Sequence, residues 1–286
     1  MIIDFHTHCF PDDIAAIAID KLSRMSRSRA FTDGTLTGLI ASMKKSGIDT
    51  SVILPVATHA GQVEKINAIA ARLNEAYAAQ GLMSFGGIHP DYADYKRELA
   101  RLSANGIKGI KIHPVYQFTD INDLKFLRIL HRAAELDLTV VTHAGQDIGF
   151  PGEVRCSPPM IRSAVDEIGA FKFVLAHMGG WRDWDLSLKY LADTKVYIDT
   201  AFSFGEITPR PDEQFSQAEK TMLDENAFMR FFAAFGAERI LFGTDSPWSA
   251  QNETRAFIEN LPIEKSAKEQ ILGKNAQKLL EVSVIA

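Results

Sequence analysis

The chain has 286 residues, 46% apolar and 23% charged, with a formal net charge of −5. That length supports a large core and fits one α/β barrel. No Lys/Arg run is long enough to suggest a nucleic-acid surface, and with no long apolar stretch or leader pattern neither a membrane span nor a signal peptide is expected; two cysteines, Cys9 and Cys156, make no disulfide framework, so a cytoplasmic protein is expected.

The first run, Ile2–His8, reads as a strand and ends His6-Thr7-His8. Residues two apart in a strand share a face. Two imidazoles there form half of a metal site. Asp4 falls on the same face by this rule. It is either an acceptor that orients the histidines or a carboxylate at the barrel floor. Cys9 reads as a buried thiol. Phe10–Thr35 is too long for a simple loop. Leu36–Ser46 reads as a helix that stops at Gly47.

Ser51–Val56 is the second strand. Gln62–Gln80 carries Ile66, Ile69, Leu73 and Tyr77 on one stripe and ends at Gly81, as a helix does. Met83–Ile88 is the third strand and Asp94–Ala104 the next helix. Ile107–His113 ends Lys111-Ile112-His113-Pro114, and helix Asn122–Glu135 follows. Leu138–His143 closes on Thr142-His143. Pro158–Ile168 has proline in its first turn, a helix start. Lys172–His177 precedes helix Trp184–Ala192, and Lys195–Thr200 precedes a second long insertion, Phe202–Asp224. Helix Glu225–Phe235 leads to the eighth strand, Arg239–Thr244, and then Asp245. Helices Gln251–Asn260 and Ile263–Glu281 complete the chain.

Eight alternating units predict a (β/α)8 TIM barrel spanning 1–286 as one domain. The rival is a doubly wound open sheet. Polar strand ends, and no G-x-G-x-x-G after the first strand, favour the barrel. The insertions at about 10–35 and 202–224 leave carboxyl ends of strands, so they are expected to form the rim or lid of the active-site face. His6, His8, Lys111, His113, His143, His177 and Asp245 all end strands that converge there. Imidazoles plus a carboxylate suit zinc, manganese or iron.

This ordered set resembles the amidohydrolase superfamily, most of all the branch of aminocarboxymuconate-semialdehyde decarboxylase and the "amidohydrolase-related" hydrolases. The resemblance runs from His6-x-His8 to Gly273-Lys274-Asn275-Ala276-Gln277-Lys278-Leu279-Leu280. It implies metal ligands at His6, His8, His143 and Asp245, with Asp245 and His177 catalytic. It implies one divalent ion, zinc first, with manganese or iron as alternatives and a second ion disfavoured. In two-metal relatives the sixth-strand histidine binds the second ion, and Lys111 is where a bridging lysine would stand. A homodimer is what the resemblance suggests. Lys111, His113, Arg155 and Trp181 are the substrate-binding candidates; Arg155 offers a fork for a carboxylate. His59 and His89 follow strands two and three and are further candidates for substrate contact. Asp245 alone also reads as a helix cap.

The first functional expectation is a metal-dependent hydrolase of a small amide, ester or lactone, in which Asp245 or His177 deprotonates the metal-bound water. The alternative is a non-oxidative decarboxylase of a small unsaturated or aromatic acid. A hydratase and a non-enzymatic metal-bearing barrel are further readings. The same ligands serve each chemistry, so ligands do not separate them. A carboxylate held directly beside the metal would mark the decarboxylase.

Overall fold

A computed structural model describes residues 1–281. The strands are β1 (Ile3–Thr7), β2 (Thr50–Ile53), β3 (Leu82–Ser84), β4 (Gly86–Gly87), β5 (Gly109–Ile112), β6 (Thr139–Thr142), β7 (Phe173–Leu175), β8 (Tyr197–Asp199) and β9 (Ile240–Leu241). All pair in parallel, in the orders β1-β2-β3 and β4 through β9. The third predicted strand is thus two pieces, interrupted at Phe85, whose N–H still reaches Ile53 O at 2.9 Å. The first and last strands meet through Phe5 N–H to Phe242 O at 2.8 Å and Asp245 N–H to His6 O at 2.8 Å. That contact closes the (β/α)8 barrel.

The helices are α1 (Asp12–Ser26), α2 (Leu36–Ser46), α3 (Val63–Tyr77), α4 (Tyr95–Ala104), α5 (Leu124–Glu135), α6 (Pro158–Ile168), α7 (Trp184–Leu191), α8 (Gln217–Lys220), α9 (Glu225–Phe235), α10 (Gln251–Asn260), α11 (Lys265–Glu269) and α12 (Asn275–Leu280). Their apolar stripes pack on the outward faces of the strands, joining Ile110, Ile112, Val140 and Ile198 to Leu99, Phe126 and Phe228. Inside, Phe5, Phe85, Val141, Val174 and Leu241 form a second core, stoppered by Ala276, Leu279 and Leu280 of α12. No described helix is long and apolar enough to cross a membrane.

One feature of β1 departs from simple alternation. Phe5 belongs to the interior core, yet His6 also reaches the interior. A register shift between Asp4 and Thr7 lets two successive residues do so, as a β-bulge does. Asp4 therefore does not share the face of the histidines, and it is no floor carboxylate. It is fully buried and accepts from Thr244 Oγ1 at 2.5 Å, Thr244 N–H at 2.9 Å, Gln251 Nε2 at 2.7 Å and His6 N–H at 3.3 Å. It ties β1, the end of the eighth strand and α10 together.

Asp4→Ala would orphan Thr244 N–H and one N–H of Gln251, whose other N–H keeps Ser51 Oγ at 3.3 Å, at about 1–3 kcal/mol for each buried donor. Urea unfolding should show at least about 3 kcal/mol of lost stability, allowing for the missing side chain. Burial lifts the Asp4 carboxyl from 3.8 to about 7 against its four donors. The folded state therefore binds the proton more tightly than the unfolded chain. This group's contribution is full below about pH 4 and is lost as pH rises through about 7. Asp4→Ala should lack that slope.

The two insertions meet. Arg29 N–H donates to Thr208 O at 2.9 Å, Arg210 N–H to Arg27 O at 3.0 Å, and Arg27 pairs with Glu213 at 2.8 Å. The first carries α1, an element with no clear sequence signal.

Candidate metal centre

His6 and His8 end β1 with their Nε2 atoms 3.2 Å apart. Asp245 Oδ1 lies 3.0 Å from His8 Nε2 and 3.5 Å from His6 Nε2. The opposite ring nitrogens are anchored. His6 Nδ1 donates to Asp199 Oδ2 at 2.8 Å and His8 Nδ1 to Leu54 O at 2.8 Å. A carbonyl or carboxylate only accepts, so each neutral ring carries its proton at Nδ1 and turns a lone pair at Nε2 inward. Two lone pairs and a carboxylate then face one another with no hydrogen between them. That arrangement calls for a cation. Its edges match the roughly 3.0–3.4 Å between ligands of a four- to six-coordinate ion with bonds of about 2.1 Å. The donor set fits a divalent transition metal.

Electrostatics agree. Burial, then the Lys111 charge, holds His6 well below the ordinary imidazole value. Burial alone would raise the Asp245 carboxyl, but the facing His6 and His8 bring it down to about 2. Asp245 sits at φ 63° and His177 at φ 60°, both left-handed, a backbone that few side chains adopt and in which Asn, Asp and His are enriched. These turns end the strands abruptly. Asp245 is no helix cap: α10 begins at Gln251 with Ala250 as its N-cap.

Lys111 reaches the ring with Nζ 3.4 Å from His6 Nε2. It is the one buried lysine or arginine among the described residues, and burial pushes it down to about 8. Shorter His113, two residues nearer the strand end, does not reach it. His113 stacks on His143 at 4.2 Å with Nε2 3.4 Å from Asp147 Oδ2. His143 lies in this second group, with His113 and Asp147, rather than in the ring of three. Its Nε2 donates to Gln146 O at 3.0 Å, which leaves the free lone pair at Nδ1. His177 packs between them, with its ring 5.4 Å from His6 and 4.9 Å from His143. Its Nδ1 donates to Ala201 O at 2.9 Å, so Nε2 is the available atom. Burial lowers its pKa, partly offset by Asp245 and Asp199.

Trp181 walls the cavity, held by the Gly145–Trp181 bridge. A Cβ on Gly145 would meet Trp181 N at 2.3 Å, and its φ is +85°, so only glycine allows this approach. Arg155 does not line the cavity. Its guanidinium turns to Asp120 at 3.2 Å, which the fold brings near from 35 residues away, and to its sequence neighbour Glu153 at 3.3 Å. His59 and His89 also lie outside the cavity wall. Cys9 lines it, but burial lifts its thiol to about 12, so it stays neutral.

Two residues went unrecognised in the sequence. Asp199 ends β8, and its Oδ1 accepts from His177 N–H at 2.9 Å and Ala201 N–H at 3.1 Å. Its place at a strand end was the available signal. Asp147, four residues past His143, was the other. Asp199→Asn would set an amide N–H against His6 Nδ1 and force the proton to Nε2. Metal affinity should fall about 10–100-fold with circular dichroism unchanged, measured by competition with a chromophoric chelator.

A closed parallel barrel carrying a ring of imidazoles and a carboxylate at its carboxyl-end face defines the class of metal-dependent barrel enzymes. The chain belongs to the amidohydrolase family, whose model matches residues 3–282. No curated protein matches. Among solved structures, 5-carboxyvanillate decarboxylase from Sphingomonas paucimobilis is 16% identical with a TM-score of 0.69, covering 99% of each chain. The 2,6-dihydroxybenzoate decarboxylase from Rhizobium is 14% identical with a TM-score of 0.70, covering 98% of each. A dihydroxybenzoic acid decarboxylase from Polaromonas, with bound manganese and the inhibitor 2-nitroresorcinol, is 16% identical with a TM-score of 0.67, covering 98% of this chain and 96% of that one. At such identities the likeness establishes the fold. It also corrects the first functional expectation. Most of the similar barrels with a stated reaction are decarboxylases, which favours the alternative over amide, ester or lactone hydrolysis. The ligand set was silent on that choice because one metal site serves both reactions.

Proposed function

We propose that the protein is a metal-dependent, non-oxidative decarboxylase of an aromatic or unsaturated carboxylic acid. Lys111 is the observation that carries this reading beside the decarboxylase likeness. It sets a buried cation 3.4 Å from the donor ring, where a substrate carboxylate beside the metal would be neutralised from a second side.

His6, His8 and Asp245 would hold the ion, with His143 Nδ1 as the further donor. When bound, the ion supplies positive charge to the substrate's oxygens. In the reaction the bond from carbon to carboxylate breaks, CO2 leaves and a C–H bond forms. A proton must therefore reach that carbon. His177 Nε2 is placed to take a proton from the acid or a ring hydroxyl and return it to carbon, and the free Asp245 oxygen is its partner. Trp181 and Phe202, 6.1 Å apart, wall the site against water.

The test is to load the protein with manganese or zinc and assay hydroxybenzoates and unsaturated acids for released CO2. Elemental analysis should give about one metal equivalent. Two equivalents would move His177 and Lys111 into the ligand set. CO2 release from none of the acids, with metal bound, would reject the reaction.

A further inference from the structure

The cavity above the donor ring does not stop at the barrel mouth. It encloses about 1050 Å³ and runs outward between α1 and α3. That is just above the roughly 300–1,000 Å³ range that encloses a drug-sized ligand, and a single-ring acid would fill only a fraction of it. Ile14, Ile17 and Leu22 of α1 face Ile66, Ile69 and Leu73 of α3 across this extension. On α3 these positions recur at i, i+3 and i+7, and on α1 Ile14, Ala18 and Leu22 recur at i, i+4 and i+8 with Ile17 beside them, so each helix lays an apolar stripe along the groove. Ile14 is 46% and Ile17 72% exposed; these side chains look into the groove rather than into a core. Lys21, Lys65 and Arg72 border it. None of them makes an ion pair among the described residues.

We propose that the substrate is an acid with an extended apolar tail, its carboxylate at the donor ring beside Lys111 and its tail lying between α1 and α3 toward the basic rim. The carboxylate end rests on the decarboxylase reading; the tail rests on the continuity of one cavity with two apolar helix stripes. The α1 insertion is then a specificity element. Each methylene buried there strengthens binding about fourfold.

The experiment titrates manganese-loaded protein calorimetrically with 4-alkylbenzoates from methyl to octyl. Kd should tighten about threefold to fourfold per added methylene over the first several carbons. Ile17→Glu and Ile69→Glu, each separately, should abolish the dependence on chain length and leave the Kd of 4-methylbenzoate unchanged. Ile17 is exposed, so its variant folds whatever its role. A Kd independent of chain length, or no binding by any member, overturns the proposal. So does a dimer that Ile17→Glu converts to monomer while the chain-length dependence persists, since the stripe would then be a subunit contact. CO2 release is scored separately. Chain-length-dependent binding without CO2 release keeps the tail groove and rejects the reaction; release from untailed acids with no chain-length dependence does the reverse.

Discussion

Asp245→Asn should give a folded barrel that binds metal weakly and turns over at least about 10⁴-fold more slowly, even in saturating metal. Asparagine tolerates the left-handed backbone at φ 63° better than most residues do, and the Asp245 N–H to His6 O bond does not involve the side chain. The fold therefore has no reason to fail. What disappears is the one anionic member of the donor ring, 3.0 Å from His8. The amide also cannot carry a proton to the substrate. The two losses compound because one carboxylate supplies both. Circular dichroism, metal content and turnover on this variant are the measurements. Near-normal turnover with full metal content would remove Asp245 from the catalytic machinery.

His177→Asn separates proton transfer from metal binding. Asparagine again suits the backbone, at φ 60°, and the backbone N–H bond to Asp199 Oδ1 persists. Turnover should fall about 10²–10⁴-fold, the usual worth of a positioned acid–base group, while metal content stays near that of the wild type. Loss of the metal would make His177 a ligand and overturn its assignment to proton transfer.

These outcomes bear on which parts of the site were readable from residue order. The strand ends were. His6-Thr7-His8, His143, His177 and Asp245 each follow an apolar run of strand length, and the eight-fold alternation of runs implied convergence at one face. His6, His8 and Asp245 do form one ring, whereas His143 packs with His113 and Asp147. Which nitrogen each imidazole offers depends on what its other nitrogen touches. For His6 that partner is Asp199, 193 residues away. Periodicity carries no information about such a pair.

The (β/α)8 order and the residues at the strand ends follow from the sequence by itself, because alternation and helical stripes are local properties set by backbone geometry. Tertiary structure decided the rest. The bulge in β1 sends Asp4 outward to Gln251 and Thr244, breaking the two-residue rule that had placed it with His6 and His8. Arg155 turns to Asp120, 35 residues away. The 10–35 insertion folds into α1, whose exposed isoleucines acquire a meaning only beside α3. In each case the deciding contact joins segments whose separation in space is set by barrel closure, and closure is a property of all eight strands together.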